Sequence, residues 1–218
     1  MGTATQYDPS STKINFLMMY AAHDALRRDL SRLISAADIR VGDLAAFHAG
    51  WRVFERYLTI HHSAEDKLLW PPMRARVAGD AKRIALLDAM EAEHAVLDPL
   101  MASVDRQLDS GDISSLRATM EELGSGVTAH LEHEEREGLP LVDAVLTQKD
   151  WEAFGNEQRK AVGLKGGAHF FPWLLEGATP QVEQRVLAIV PPPVRFLYRK
   201  QWRPKYLKNS PWGRTARN

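Results

Sequence analysis

The chain has 218 residues, and its 28 Lys+Arg balance its 28 Asp+Glu to a formal net charge of zero. Cysteine is absent, which excludes disulfides, thiolate zinc sites, iron–sulfur clusters and cysteine nucleophiles. The zero hides an asymmetry: residues 1–148 carry 15 basic and 23 acidic side chains, a balance of −8, whereas residues 149–218 carry 13 and 5, a balance of +8. The start, MGTATQYDPSST, is polar and lacks the regions of a secretory signal. No apolar run reaches the ~18 residues that cross a bilayer, so a soluble, cytoplasmic protein is expected.

The first 148 residues read as four long helices. The first is expected from about Lys13 to Ala36, with Ser10, Ser11 and Thr12 as candidate caps. The second runs from about Asp43 to Trp70, where Pro71 and Pro72 should stop it, because neither ring nitrogen donates a hydrogen bond. The third spans Asp80 to about Asp109 and should kink at Asp98-Pro99. The fourth begins after Asp112 and ends near Gly138, with a short fifth helix through Leu146.

The apolar seams repeat in steps of three and four. Phe16, Met19, His23, Leu26, Leu30 and Leu33 mark the first, and Phe47, Trp51, Phe54, Leu58, His61, Glu65 and Leu68 the second. Leu87, Met90, His94, Leu97, Met101, Val104 and Leu108 mark the third, and Ile113, Leu116, Met120, Leu123, Val127, His130 and Glu134 the fourth. Four such helices with short connections predict an all-α, antiparallel four-helix bundle over residues 12–147. Residues 148–218 hold short helical candidates broken by glycine and proline. They are rich in aromatics, so they should form a short-helical C-terminal extension packed on the bundle.

Each seam contains one histidine: His23, His61, His94 and His130. Two have a glutamate at i+4 on the same face, pairing His61 with Glu65 and His130 with Glu134. If about three in seven helix positions face a core, four histidines all fall there by chance only about 3% of the time. Unpaired carboxylates in a bundle core cost several kcal/mol unless something positive lies between them. A metal supplies that charge: four neutral imidazoles and two carboxylates suit two divalent or trivalent cations.

These residues resemble the hemerythrin, or HHE cation-binding, family in its bacterial H, HxxxE, H, HxxxE form with a basic C-terminal extension. The resemblance is carried by His23-Asp24, by His61-His62-Ser63-Ala64-Glu65-Asp66 with Leu69-Trp70-Pro71, by His94, and by His130-Leu131-Glu132-His133-Glu134-Glu135. It implies a non-haem centre of two iron ions, bridged by carboxylates and an oxo or hydroxo group. His23, His61, Glu65, His94, His130 and Glu134 would be the ligands, with Glu65 and Glu134 as the bridges. His62 and Tyr57 are further candidates as ligands or ligand-supporting residues. His133 reads as a flanking residue, and His48 and His169 have no assigned role.

The sequence departs from oxygen-carrying relatives, which have two histidines four apart on the third helix and HxxxxD on the last. Here Asp98 follows His94 at that spacing, and the last motif is HxxxE. Fewer imidazoles leave more open positions, which favours peroxide or oxygen chemistry over reversible carriage. The expected function is therefore a reaction with a small oxidant, hydrogen peroxide disproportionation or oxidative-stress defence. The alternative is non-catalytic binding or sensing of dioxygen, nitric oxide or iron, and a third reading makes the metal structural in an interaction protein. Zinc or manganese would also suit the donors. The basic, aromatic stretch from Arg195 to Lys208 is expected to dock on the acidic bundle, cations toward its carboxylates. No nucleic acid and no membrane are expected as partners, and oligomeric state is not legible.

Overall fold

The computed structural model describes residues 2–38, 44–163, 166–210 and 212. Its long helices are α1 (Leu17–Ala36), α2 (Leu44–Leu68), α4 (Ala81–Ser110) and α5 (Leu116–His133), with a short α3 (Trp70–Arg76) between the second and third. They form a closed ring of neighbours, α1 on α2, α2 on α4, α4 on α5 and α5 on α1, which is the antiparallel bundle the periodicity predicts. No strand occurs among the described residues. Every seam residue of the first and third helices is buried.

The helix ends differ from expectation in instructive ways. The Ser10–Thr12 group does not cap α1; Ser10 and Ser11 instead bond Asp8 in a local turn, and the Asn15 side chain accepts from the Leu17 amide at 3.0 Å. Pro71 and Pro72 do not end the helical path. The α2 helix stops at Leu68, and the two prolines occupy the first turn of α3, where a missing N–H costs nothing. Pro99 sits inside an uninterrupted α4. Asp80 caps that helix by accepting from Arg83, and Gly111 ends it at φ 73°, a left-handed conformation that suits glycine.

After α5 the chain passes through one wider, π-type turn, Glu134–Gly138, into α6 (Leu139–Val145). The extension then contributes α7 (Gln148–Val162), α8 (Gly167–Leu174), α9 (Pro180–Ile189), α10 (Pro192–Leu197), a second π-type turn (Tyr198–Trp202) and α11 (Arg203–Asn209). A capping box at Thr147 and Asp150 starts α7. This helix lies along α2, while α8 and α9 lie against α1. Burial on that second face explains why Ala21, Ala25 and Asp29, which lie outside the seam of α1, are sealed.

The extension docks by its aromatics, as expected, but not by its charges. Trp173, Tyr198, Tyr206 and Trp212 are buried. Trp173 donates its indole N–H to Asp29 at 2.7 Å, and Arg28 and Arg32 hold the same carboxylate at 3.0 and 3.4 Å. Among the described residues, the ion pairs that cross between the two parts are Arg32–Glu176, Lys67–Glu157 and Arg76–Asp150. In each the base belongs to the bundle and the acid to the extension, the reverse of what the opposed balances suggest. Arg199, Lys200, Arg203, Lys205 and Lys208 remain exposed. Local geometry decides pairing here, because screened surface charges more than about 10 Å apart scarcely interact.

Candidate metal centre

One helical turn brings His61 and Glu65 of α2 to one face, with Nε2 3.1 Å from Oε1. His62 turns toward α4, where its ring stacks on His94 with centroids 3.9 Å apart and planes 12° off parallel. His130 and Glu134 repeat the spacing at the end of α5. The π-type turn that begins at Glu134 carries one more residue than an α turn, and it lets both Glu134 and Glu135 bury their side chains. Gly138 leaves room for this: a Cβ there would stand 3.0 Å from Glu134 Cγ.

Two donor groups result. His62, Glu65, His94 and His130 form one, and His23, His61, Glu65 and Glu134 form the other; the donor atoms of each lie within 4.8 Å of one another. Glu65 belongs to both. Its Oε1 faces His61 at 3.1 Å and its Oε2 faces His94 at 3.5 Å, so the carboxylate spans the two groups. Glu134 falls in the second group only, with Oε2 3.1 Å from His23 Nε2.

The donors fit cations. His94 Nδ1 lies 2.8 Å from Asp66 and His130 Nδ1 lies 2.9 Å from Glu93. A neutral ring that donates from Nδ1 has a bare lone pair at Nε2. The two Nε2 atoms nonetheless face each other at 3.0 Å; those of His23 and His61 lie 2.9 Å apart, a contact that the proton on His23 bridges when no cation is present. Two nitrogens bound at right angles to one cation at about 2.1 Å would stand about 3.0 Å apart. The buried Nε2 of His62 and both oxygens of Glu65 and of Glu134 also have no hydrogen-bond partner among the described residues. So many orphaned acceptors in one sealed place are costly without a cation.

Electrostatics say the same. Burial raises the Glu65 carboxyl well above the usual range, and the neighbouring Glu134 and Asp66 charges raise it further. Burial opposes ionisation of Glu134 too, but His23 and then His61 outweigh it and hold this carboxyl at about 2. Burial would neutralise His23, yet Glu134 and Glu135 together raise it to about 9. Burial lowers His61, His62 and His130, so these rings are neutral donors.

Carboxylates outside the cluster fix the rings. Asp66 holds His94, Glu93 holds both His130 and His133, and Glu135, itself paired with Arg27 at 2.8 Å, holds His23 at 2.8 Å. Such partners orient metal-binding imidazoles and raise their basicity. Sequence reasoning gave Asp66, Glu93 and Glu135 no role. The available signal was adjacency: each directly follows or precedes a seam donor. His133, expected on the flank, does lie there on Glu93. Tyr57 points its hydroxyl to His169 Nδ1 at 2.9 Å and stacks on Trp173 at 4.0 Å, so the extension occupies it. His169, given no role beforehand, is thus part of the dock. His48 accepts from Arg52 Nε at 3.1 Å.

A cavity of about 270 Å³ lies between α1, α2, α7 and α8 and reaches His61; Met18, Leu26, Ile60, Phe154 and Trp173 are among its walls. No helix among the described residues is long and apolar enough to cross a membrane.

No curated protein and no solved structure matches the chain. The family model of the hemerythrin HHE cation binding domain matches residues 17–142, from the first residue of α1 into α6, and so takes in every donor of both groups. The chain belongs to the hemerythrin HHE cation-binding family and is a metal-binding helical protein.

Proposed function

We propose that the cluster holds two iron ions and that the loaded, cytoplasmic protein decomposes hydrogen peroxide in oxidative-stress defence. His62, His94 and His130 would serve one ion, and His23, His61 and Glu134 the other, with Glu65 bridging and Glu134 as the second bridge the family implies. The observation that carries this reading is the shared Glu65, whose two oxygens address two separate groups of imidazoles. Iron in such a centre supplies reversible redox change and open positions for a small oxidant.

The chain's own part is preparation. Asp66, Glu93 and Glu135 hold three rings by their Nδ1 atoms, so these imidazoles are oriented before a cation arrives. Burial excludes bulk water from Glu65 and Glu134, which concentrates their charge on whatever lies between them. Without a cation, protons take that place, on Glu65 and on His23 beside Glu134.

Metal analysis and visible spectra of the iron-loaded chain, with an oxygen electrode during peroxide addition, test the proposal. Two equivalents of iron and sustained oxygen evolution are the expected result; a loaded protein that evolves none refutes the peroxide activity. A second reading is binding or sensing of dioxygen or nitric oxide without turnover. The apolar cavity at His61 favours it, and a stable spectroscopic adduct in place of turnover would decide for it.

A further inference from the structure

Among the four seam histidines, His61 is set apart by its outer nitrogen. His23, His94 and His130 each give Nδ1 to a carboxylate. His61 commits Nε2 to the cluster, 2.9 Å from His23 and 3.1 Å from Glu65, but its Nδ1 has no partner among the described residues. The residue as a whole is only 4% exposed. His61 is also a wall of the cavity between bundle and extension. With Nε2 turned to the cluster, Nδ1 is the ring nitrogen left for the cavity that His61 lines.

The cavity's chemistry is lopsided. Met18, Met19, Ile60, Phe154, Phe170 and Trp173 make its body apolar, and the hydroxyl of Tyr57, another wall, is taken by His169. Asn15, just before α1, and Gln148, Glu152, Gln158 and Arg159 of α7 line it as well and lie at or near the surface. At about 270 Å³ it is large enough for a single ring or a short aliphatic chain. When a histidine binds a metal through one nitrogen, the other carries a hydrogen and requires an acceptor. The fold supplies that acceptor for three rings and leaves the fourth beside a cavity whose polar walls lie at its surface end.

We propose that this cavity is a binding site for a small, mainly apolar molecule carrying one hydrogen-bond acceptor, such as a ketone, which accepts from His61 Nδ1. The site is built jointly by the family domain and the extension, so the extension has a ligand-binding role. Occupancy supplies a neutral acceptor where His61 has none and thereby tunes a residue of the proposed metal centre. The hydrogen-bond part rests on the proposed ligation of a metal by His61 Nε2; the cavity part does not.

Acetophenone and ethylbenzene, similar in shape but differing in the acceptor, provide the test by calorimetry on the full chain, metal-free and iron-loaded. Both should bind both forms. In the iron-loaded form acetophenone should bind about fivefold tighter, the contribution of one net hydrogen bond, and should shift the visible spectrum where ethylbenzene does not. Gly155→Phe fills the cavity from α7 at a position where an added side-chain carbon meets nothing within 4 Å, so folding should be retained. This variant should lose at least tenfold in affinity for both probes at unchanged iron content. Failure of either probe to bind wild type, or wild-type binding by Gly155→Phe, overturns the site. Equal affinities in the iron-loaded chain overturn the acceptor at His61. A chain that takes up no iron refutes the proposed function instead, while probe binding to the metal-free chain still decides the cavity.

Discussion

The two donor groups share Glu65 yet are built to different rules. The group of His62, His94 and His130 is rich in imidazole, and its rings are steadied by Asp66 and Glu93, carboxylates that reach solvent. The group of His23 and His61 is rich in carboxylate, and one of its rings is steadied by Glu135, which is buried and neutralised by Arg27. Its other ring faces the extension's cavity. The first group is thus dominated by imidazoles and the second by carboxylates, with His23 of the second holding a proton of its own when no cation is present. The difference teaches that a single ordered motif can encode two inequivalent donor groups.

Removing the shared residue should erase the comparison altogether. Glu65→Gln keeps the shape of the side chain but removes the charge that both groups use, so metal content should fall from two equivalents to near zero. Plasma emission analysis after loading and desalting checks this, and retention of one full equivalent would show that the groups do not depend on a common carboxylate. His94→Ala should have half that effect. It strips a ring from the first group only, and one equivalent should remain, bound by His23, His61, Glu65 and Glu134. Full occupancy in that variant would refute His94 as a ligand.

A smaller change sharpens the contrast without deleting a donor. Asp66→Asn weakens the partner of His94 Nδ1, and loss of such a partner costs about 10- to 100-fold in metal affinity. The loss should appear in one of two equivalents when competition with a chelator is followed. The same loss on both would mean that the groups bind as a unit.

Why only part of this was legible in the sequence follows from where each signal resides. Seam spacing is a one-dimensional signal, and it placed His23, His61, His94, His130, Glu65 and Glu134 on inward faces, all of which are buried. His62 lies about 100° from His61 on the same helix, so its inclusion depends on α4 covering that flank. The π-type turn leaves no mark in the apolar periodicity, because its effect is to bury Glu135 beside Glu134, one residue beyond the seam. The reversed ion pairs across the dock were illegible for another reason: summed charge says nothing about which carboxylates the extension brings to Lys67, Arg76 and Arg32.

The weakest expected effect is the most direct reading of the difference. Glu134 and Glu135 raise the His23 imidazole to about 9 against the burial that would lower it, so His23 carries a proton at neutral pH in the metal-free chain. A metal must displace that proton, and affinity for the second group should therefore rise about tenfold per pH unit until His23 loses the proton on its own near pH 9. Burial keeps His62 and His130 neutral, so these rings ask for no such displacement. The proton on Glu65 is common to both groups and does not separate them. Titration with a divalent cation at pH 6.5, 7.5 and 8.5 should resolve two equivalents whose affinities converge as pH rises, with the additional proton release confined to the weaker one. Two equivalents of identical pH dependence would mean that the groups share the His23 proton as they share Glu65.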